Sequence, residues 1–169
     1  WDPSPGPRQR FRRQEGPRRL ERGGRELDMV VNISQVLSGA WDYVKADIKG
    51  VVDVAHAAGA KVKVIFENDY LASGGAGLSS DDLKRKLCEV SERAGADWVK
   101  TSTGYGFVKG PDGSYSYQGA TESDLRLMRA SCSSSVQVKA AGGVRSLDGL
   151  IRVRELGATR CGVTATAAI

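Results

Sequence analysis

From residue 26 onward, hydrophobic and polar positions fall into short blocks whose periodicity switches back and forth. Residues 27–33 (LDMVVNI) form an apolar run of strand length. Over 41–59, Trp41, Val44, Ile48, Val51, Val52 and Ala55 recur on one helical face, and Gly59 supplies a C-terminal stop. Residues 61–67 (KVKVIFE) alternate and predict a strand. Residues 79–95 predict a helix with a serine cap, acids in the first turn and Gly95 at its end. A strand over 97–103 (DWVKTST) leads into a polar loop, rich in Gly and with one Pro, over 104–119. A helix over 121–132 follows, with Thr121 and Asp124 at capping-box-like spacing. Then come a strand over 136–143 (VQVKAAGG), a helix over 146–157 and a last strand over 159–165.

Three helix-to-strand junctions resemble one another: AAGAKVKVIFE, RAGADWVKTST and ELGATRCGVTA. Strict strand–helix alternation predicts an α/β fold with a parallel sheet and right-handed crossovers. Two architectures satisfy it, a doubly wound sheet and a (β/α)8 barrel of the TIM type. The pattern supplies five strands, where a closed barrel has eight.

Composition changes the picture at the N-terminus. The net charge of +5 resides wholly in residues 1–25, where eight arginines face Asp2, Glu15 and Glu21. Residues 26–169 carry 17 basic and 17 acidic side chains. The segment 1–25 has almost no apolar periodicity and is expected to be disordered, because it buries too little to offset ordering entropy. A nucleic-acid-binding arm, a transit-type segment and a product of out-of-frame translation all fit an Arg/Pro-rich stretch. The last is favoured, so nucleic acid is not an expected partner. The domain proper is placed at 26–169. No apolar run reaches the roughly 18 residues of a membrane span. One histidine, His56, excludes a multi-histidine metal site, and three cysteines without CxxC spacing exclude a zinc finger. Cys88, Cys132 and Cys161 read as packing residues in a reducing compartment, and His56 as a helix-surface residue.

The chemistry concentrates at strand ends. Lys100 and Lys139 occupy matching C-terminal positions of apolar strands, and neighbouring strands lie ~4.8 Å apart. Repulsion and desolvation would favour a neutral amine, the form a Schiff-base nucleophile requires. Alternation along 27–33 puts Asp28 and Asn32 on one face. Asp28 then either meets the lysine pair as a proton relay or caps the strand entrance in solvent. Gly142 and Gly143, followed by Arg145, precede a helix and suit a phosphate, and Gly162 and Thr164 form a second small-residue loop on the next strand.

The segments ELDMVVNI, KVKVIFE, DWVKTSTGYG, VQVKAAGGVRSLD and GATRCGVTATAAI, in that order, resemble deoxyribose-phosphate aldolase. The resemblance implies an incomplete (β/α)8 barrel holding strands four to eight, with no metal or cofactor. It implies Lys100 as the Schiff-base lysine, Lys139 as the lysine that lowers its pKa and Asp28 as the relay carboxylate. Thr103, Gly104, Gly142, Gly143, Arg145, Gly162 and Thr164 fall at substrate- or phosphate-binding positions. The implied reaction is reversible cleavage of 2-deoxy-D-ribose 5-phosphate to D-glyceraldehyde 3-phosphate and acetaldehyde, in the cytoplasm, in deoxyribose phosphate catabolism, by a homo-oligomer. The competing reading is a non-catalytic phosphosugar-binding protein. The family's earlier strands have no counterpart in the Arg/Pro-rich segment, the loop at 104–119 is longer than usual, and Tyr105 is a departure. Five strands leave two open edges, so the chain as written is expected to fold poorly or to be inactive.

Overall fold

The computed structural model describes residues 18, 20–164 and 166–169. Expectations for residues 1–17 and 19 lie outside the described residues. Arg18, Leu20 and Glu21 are helical, and Leu20 packs against the core. The elements that follow are β1 (Glu26–Val30), α1 (Ile33–Leu37), α2 (Trp41–Ala57), β2 (Lys61–Ile65), a 3-10 turn (Asn68–Leu71), α3 (Ser80–Arg93) and β3 (Trp98–Lys100). After them come β4 (Val108–Lys109), β5 (Tyr115–Ser116), α4 (Glu122–Ser131), β6 (Gln137–Ala141), α5 (Leu147–Glu155), β7 (Ala158–Gly162) and a final 3-10 turn (Thr166–Ala168).

The main sheet has strand order β1-β2-β3-β6-β7, parallel throughout. Leu27, Met29, Val62, Val64, Val99, Val138 and Ala140 are buried in the hydrophobic core, and Val44, Ile48, Leu83, Leu87, Leu125 and Val153 bring α2 to α5 to that core. Truncating Ile48, Leu83, Leu87 or Leu125 to alanine costs about 2–5 kcal/mol each. The alternate strand positions carry Glu26, Asp28, Lys63, Trp98, Lys100, Lys139 and Arg160. A doubly wound sheet covers both faces with helices; here one face takes the helices and the other takes charge, which is barrel-like.

Curvature brings the outer strands together. Laid flat, β1 and β7 would be about 19 Å apart. Instead Arg160 on β7 pairs with Glu26 on β1 and also stacks 5.0 Å from the Trp98 ring centroid at the sheet's middle. The five strands therefore form a trough.

Ser79 and Thr121 cap their helices as predicted, and Ser146 caps a third; each accepts a hydrogen bond from the backbone N–H three residues on. Several sequence expectations are corrected. The strand expected over 27–33 ends at Val30, because Asn32 leaves the sheet to cap α1 by accepting from the Gln35 N–H. Asn32 thus does not share a face with Asp28 in the sheet. The loop over 104–119 contains an antiparallel hairpin, β4–β5, turning through Pro111–Gly113. No helix among the described residues is long and apolar enough to cross a membrane.

Candidate active site

Lys100 and Lys139 are direct register partners on β3 and β6, as their matching strand positions predict. Both side chains are largely buried and converge on one carboxylate. Lys100 Nζ lies 2.7 Å from Asp28 Oδ2, and Lys139 Nζ lies 3.8 Å from the same oxygen. Asp28 thus faces the trough and meets the lysines. The strand ladder continues beyond the lysines through Thr101, whose hydroxyl donates to Ala141 O at 2.9 Å and accepts from Ala141 N at 3.0 Å. That double bond fixes the relative height of the two strand ends.

A third lysine belongs to the cluster and was not singled out from sequence. Lys63, directly opposite Asp28 in register, is 3% exposed at its side chain, 3.0 Å from Asp28 Oδ1 and 2.6 Å from Glu26 Oε2. Glu26, paired with Lys63 and Arg160, completes the set. Hydrogen bonds from Arg160 and Lys63 hold Glu26 down at about 2. Burial pushes Asp28 up, but hydrogen bonds from Lys100 and Lys63 outweigh it and leave the carboxyl below its usual value. The Lys139 ammonium is held below the ordinary lysine value by burial first and then by the Lys100 charge, with Asp28 opposing. Desolvation and a neighbouring cation thus act on Lys139.

Above the lysines opens a cavity of about 440 Å³. Its lining includes Thr103 and Gly104 after β3, Gly142, Gly143 and Arg145 after β6, and Gly162 and Thr164 from the end of β7. All seven expected substrate-binding positions, Lys100 and Lys139 therefore share one space. Gly142 and Gly143 take φ of +90° and +82°, a region where side chains with a Cβ are strained, and they lead directly into the capped start of α5. Backbone N–H groups, a helix N-terminus and Arg145 together suit an anion.

The turn after β2 fastens the far wall. Glu67 is buried in a left-handed conformation (φ +57°). Its two carboxylate oxygens accept from Thr103 N at 3.0 Å and Thr103 Oγ1 at 2.6 Å. Asp69 accepts from Gln118 N and Gly119 N, at 2.6 and 3.1 Å. Tyr70 donates to Phe107 O at 3.1 Å. Three residues of one short turn thereby anchor the loop after Lys100 and both stems of the hairpin. No motif in the sequence marks these roles. His56 sits at the opposite end, paired with Asp97 at 2.9 Å, and Cys88, Cys132 and Cys161 are free thiols packed in or against the core.

The family model described as DeoC/LacD family aldolase matches residues 14–163, so the match begins ahead of β1 and of the boundary drawn at 26. A deoxyribose-phosphate aldolase of Rhodopirellula baltica is 51% identical over 157 residues, covering 93% of this chain and 58% of the relative. One of Thermococcus gammatolerans is 45% identical over 150 residues, covering 89% and 59%. Among solved structures, QR15, an aldolase, superposes with a TM-score of 0.78 at 31% identity, covering 95% of this chain and 64% of that one. The tetrameric deoxyribose phosphate aldolase of Aeropyrum pernix gives 0.75 at 29% identity, covering 99% and 61%. The chain thus spans just under three-fifths of the length of these two curated relatives.

Proposed function

The chain belongs to the DeoC/LacD family of aldolases, and on that premise we propose that it is a lyase that cleaves 2-deoxy-D-ribose 5-phosphate reversibly through a lysine Schiff base. The observation that carries the reading is the in-register pair Lys100–Lys139 on one carboxylate beneath an anion-suited cavity.

In this reading Lys100 gives a proton to its surroundings and its freed amine attacks the aldehyde carbon of the open-chain sugar. That proton passes to solvent through Asp28 and Lys139, which lie beside Lys100. The carbinolamine takes a proton on its hydroxyl, which leaves as water while the nitrogen lone pair forms the iminium. A base removes the proton of the C3 hydroxyl, the C2–C3 bond breaks, and its electron pair passes to the iminium nitrogen. Glyceraldehyde 3-phosphate departs and an enamine remains on Lys100. Protonation at the enamine carbon and hydrolysis release acetaldehyde and restore the amine. Asp28, in reach of both lysines, orients them and relays protons. Gly142, Gly143 and Arg145 hold the phosphate, and that remote binding orients the reacting carbon. A homo-oligomer in the cytoplasm, acting in deoxyribose phosphate catabolism, goes with this reading.

Borohydride reduction in the presence of acetaldehyde tests it. A stable adduct of one two-carbon unit is expected on the peptide containing Lys100, absent from Lys100→Met. An adduct on Lys139 alone would exchange the two roles, and no adduct on either would leave phosphosugar binding without catalysis.

A further inference from the structure

Beside the 440 Å³ cavity lies a second one of about 290 Å³, between the 3-10 turn, the hairpin and the starts of α3 and α4. Its lining includes Asn68, Lys84, Lys109 and Asp124. Lys84 and Asp124 pair at 2.6 Å, and the Asn68 amide donates to Asp124 at 3.1 Å. The Asn68 carbonyl oxygen, on a residue 3% exposed, has no partner among the described residues.

One residue, Tyr117, lines both cavities among the described residues. Its position is fixed from three sides. The ring meets Phe107 edge-on at a centroid distance of 5.0 Å. Its Cε2 atom lies 3.3 Å from where a Cβ on Gly142 would sit, so the ring rests against the glycine loop. The next two residues, Gln118 and Gly119, are held by Asp69, and Ala120 N donates to Gly142 O at 3.1 Å. An aromatic ring is broad and stiff, with few rotamers, so it makes an effective partition.

We propose that Tyr117 is the specificity-determining residue that closes the substrate cavity on the hairpin side, setting the longest aldehyde the site accepts. With the ring in place, a substrate anchored at Lys100 and at the glycine loop ends at Tyr117. With the ring removed, the two cavities join, and a longer polyhydroxy aldehyde phosphate extends into the second, whose lining carries the polar side chains of Lys84, Lys109 and Asp124. The inference rests on the aldolase reading, since it presumes substrate bound at Lys100.

The test compares kcat/KM for acetaldehyde addition to glyceraldehyde 3-phosphate with that for addition to erythrose 4-phosphate and ribose 5-phosphate. The proteins are the chain as written, Tyr117→Ala, Tyr117→Leu and Tyr117→Phe, each first checked for cooperative melting. Tyr117→Ala is expected to raise the ratio of long to short acceptor by roughly tenfold or more, the scale on which pocket size discriminates substrates. Tyr117→Leu shifts it in the same direction by less, and serves alone if the alanine variant fails to fold. Tyr117→Phe, which keeps the partition, leaves the ratio within about twofold, well inside that scale. An unchanged ratio in a folded Ala or Leu variant overturns the assignment, as does an equal rise in Tyr117→Phe. Failure of the parent chain to form the borohydride-trapped adduct at either lysine overturns the aldolase reading instead, and this inference with it.

Discussion

Lys84 and Lys100 are both buried lysines facing a carboxylate at close range, yet their surroundings are built differently. Lys84 reaches Asp124 at 2.6 Å, the Asn68 amide takes the second Asp124 oxygen, and Asp81 is the other carboxylate within 4 Å of the ammonium among the described residues. Here two carboxylates meet one ammonium. Around Lys100, four cations (Lys63, Lys100, Lys139 and Arg160) share two carboxylates, Glu26 and Asp28. That excess of positive charge is poorly suited to stability and well suited to holding one amine neutral and drawing in an anion. Buried charge alone does not distinguish the two regions; the excess of cations around Lys100 does.

The largest effect expected is at Lys100. Lys100→Ala should cut retro-aldol turnover by at least about a thousandfold, the scale of losing a covalent nucleophile, while Asp28 retains Lys63 and Lys139. Steady-state kinetics with a melting curve check that activity falls without a matching loss of fold. Lys84→Met should do the reverse. It strands Asp124 in a buried setting and is expected to cost about 3–5 kcal/mol in denaturant unfolding, with Lys84→Met/Asp124→Leu recovering most of it. Should Lys84→Met melt like the parent, the contrast between the two sites fails.

Lys139→Met sharpens the comparison. It is expected to lower turnover about a hundredfold, the scale of a lost proton-transfer group, and yet to leave the melting temperature equal or higher, because it removes one of the crowded cations. The smallest effect is in pH dependence. Glu26 (about 2) and Asp28 sit below their ordinary values in the fold. Their contribution is complete above the usual carboxylate range and is lost as pH falls through the lowered values. Lys139 has the opposite sense: its lowered native value costs stability in the protonated state, a cost that fades as pH climbs toward 10.5. Melting temperature should therefore fall on acidification below about pH 4, and its alkaline rise should be smaller in Lys139→Met.

Much of this was legible in sequence, for identifiable reasons. Lys100 and Lys139 stand out because each interrupts an apolar strand at the same height, and pairing in register follows from parallel geometry. Lys63 hides in KVKVIFE, where an alternating lysine reads as solvent-facing; in a trough, the polar side of the alternation is the interior of the site. Glu26 hides at the strand's first residue, next to the arginine-rich stretch. The hairpin had a signal, PDG flanked by alternating residues, which the glycine-rich texture of 104–119 obscured. Glu67 had none, since a left-handed glutamate is set by tertiary bonds to Thr103 and not by local preference.

The turn Glu67–Tyr70 carries three anchors within four positions, and this has a consequence for what lengths of chain the fold tolerates. Adding or removing one residue there would displace the attachments of Thr103, Gln118 and Phe107 together, with no way to restore them separately. The exposed tip at Pro111–Gly113 carries none of these attachments, so residues can be inserted there while the wall behind it stays in place.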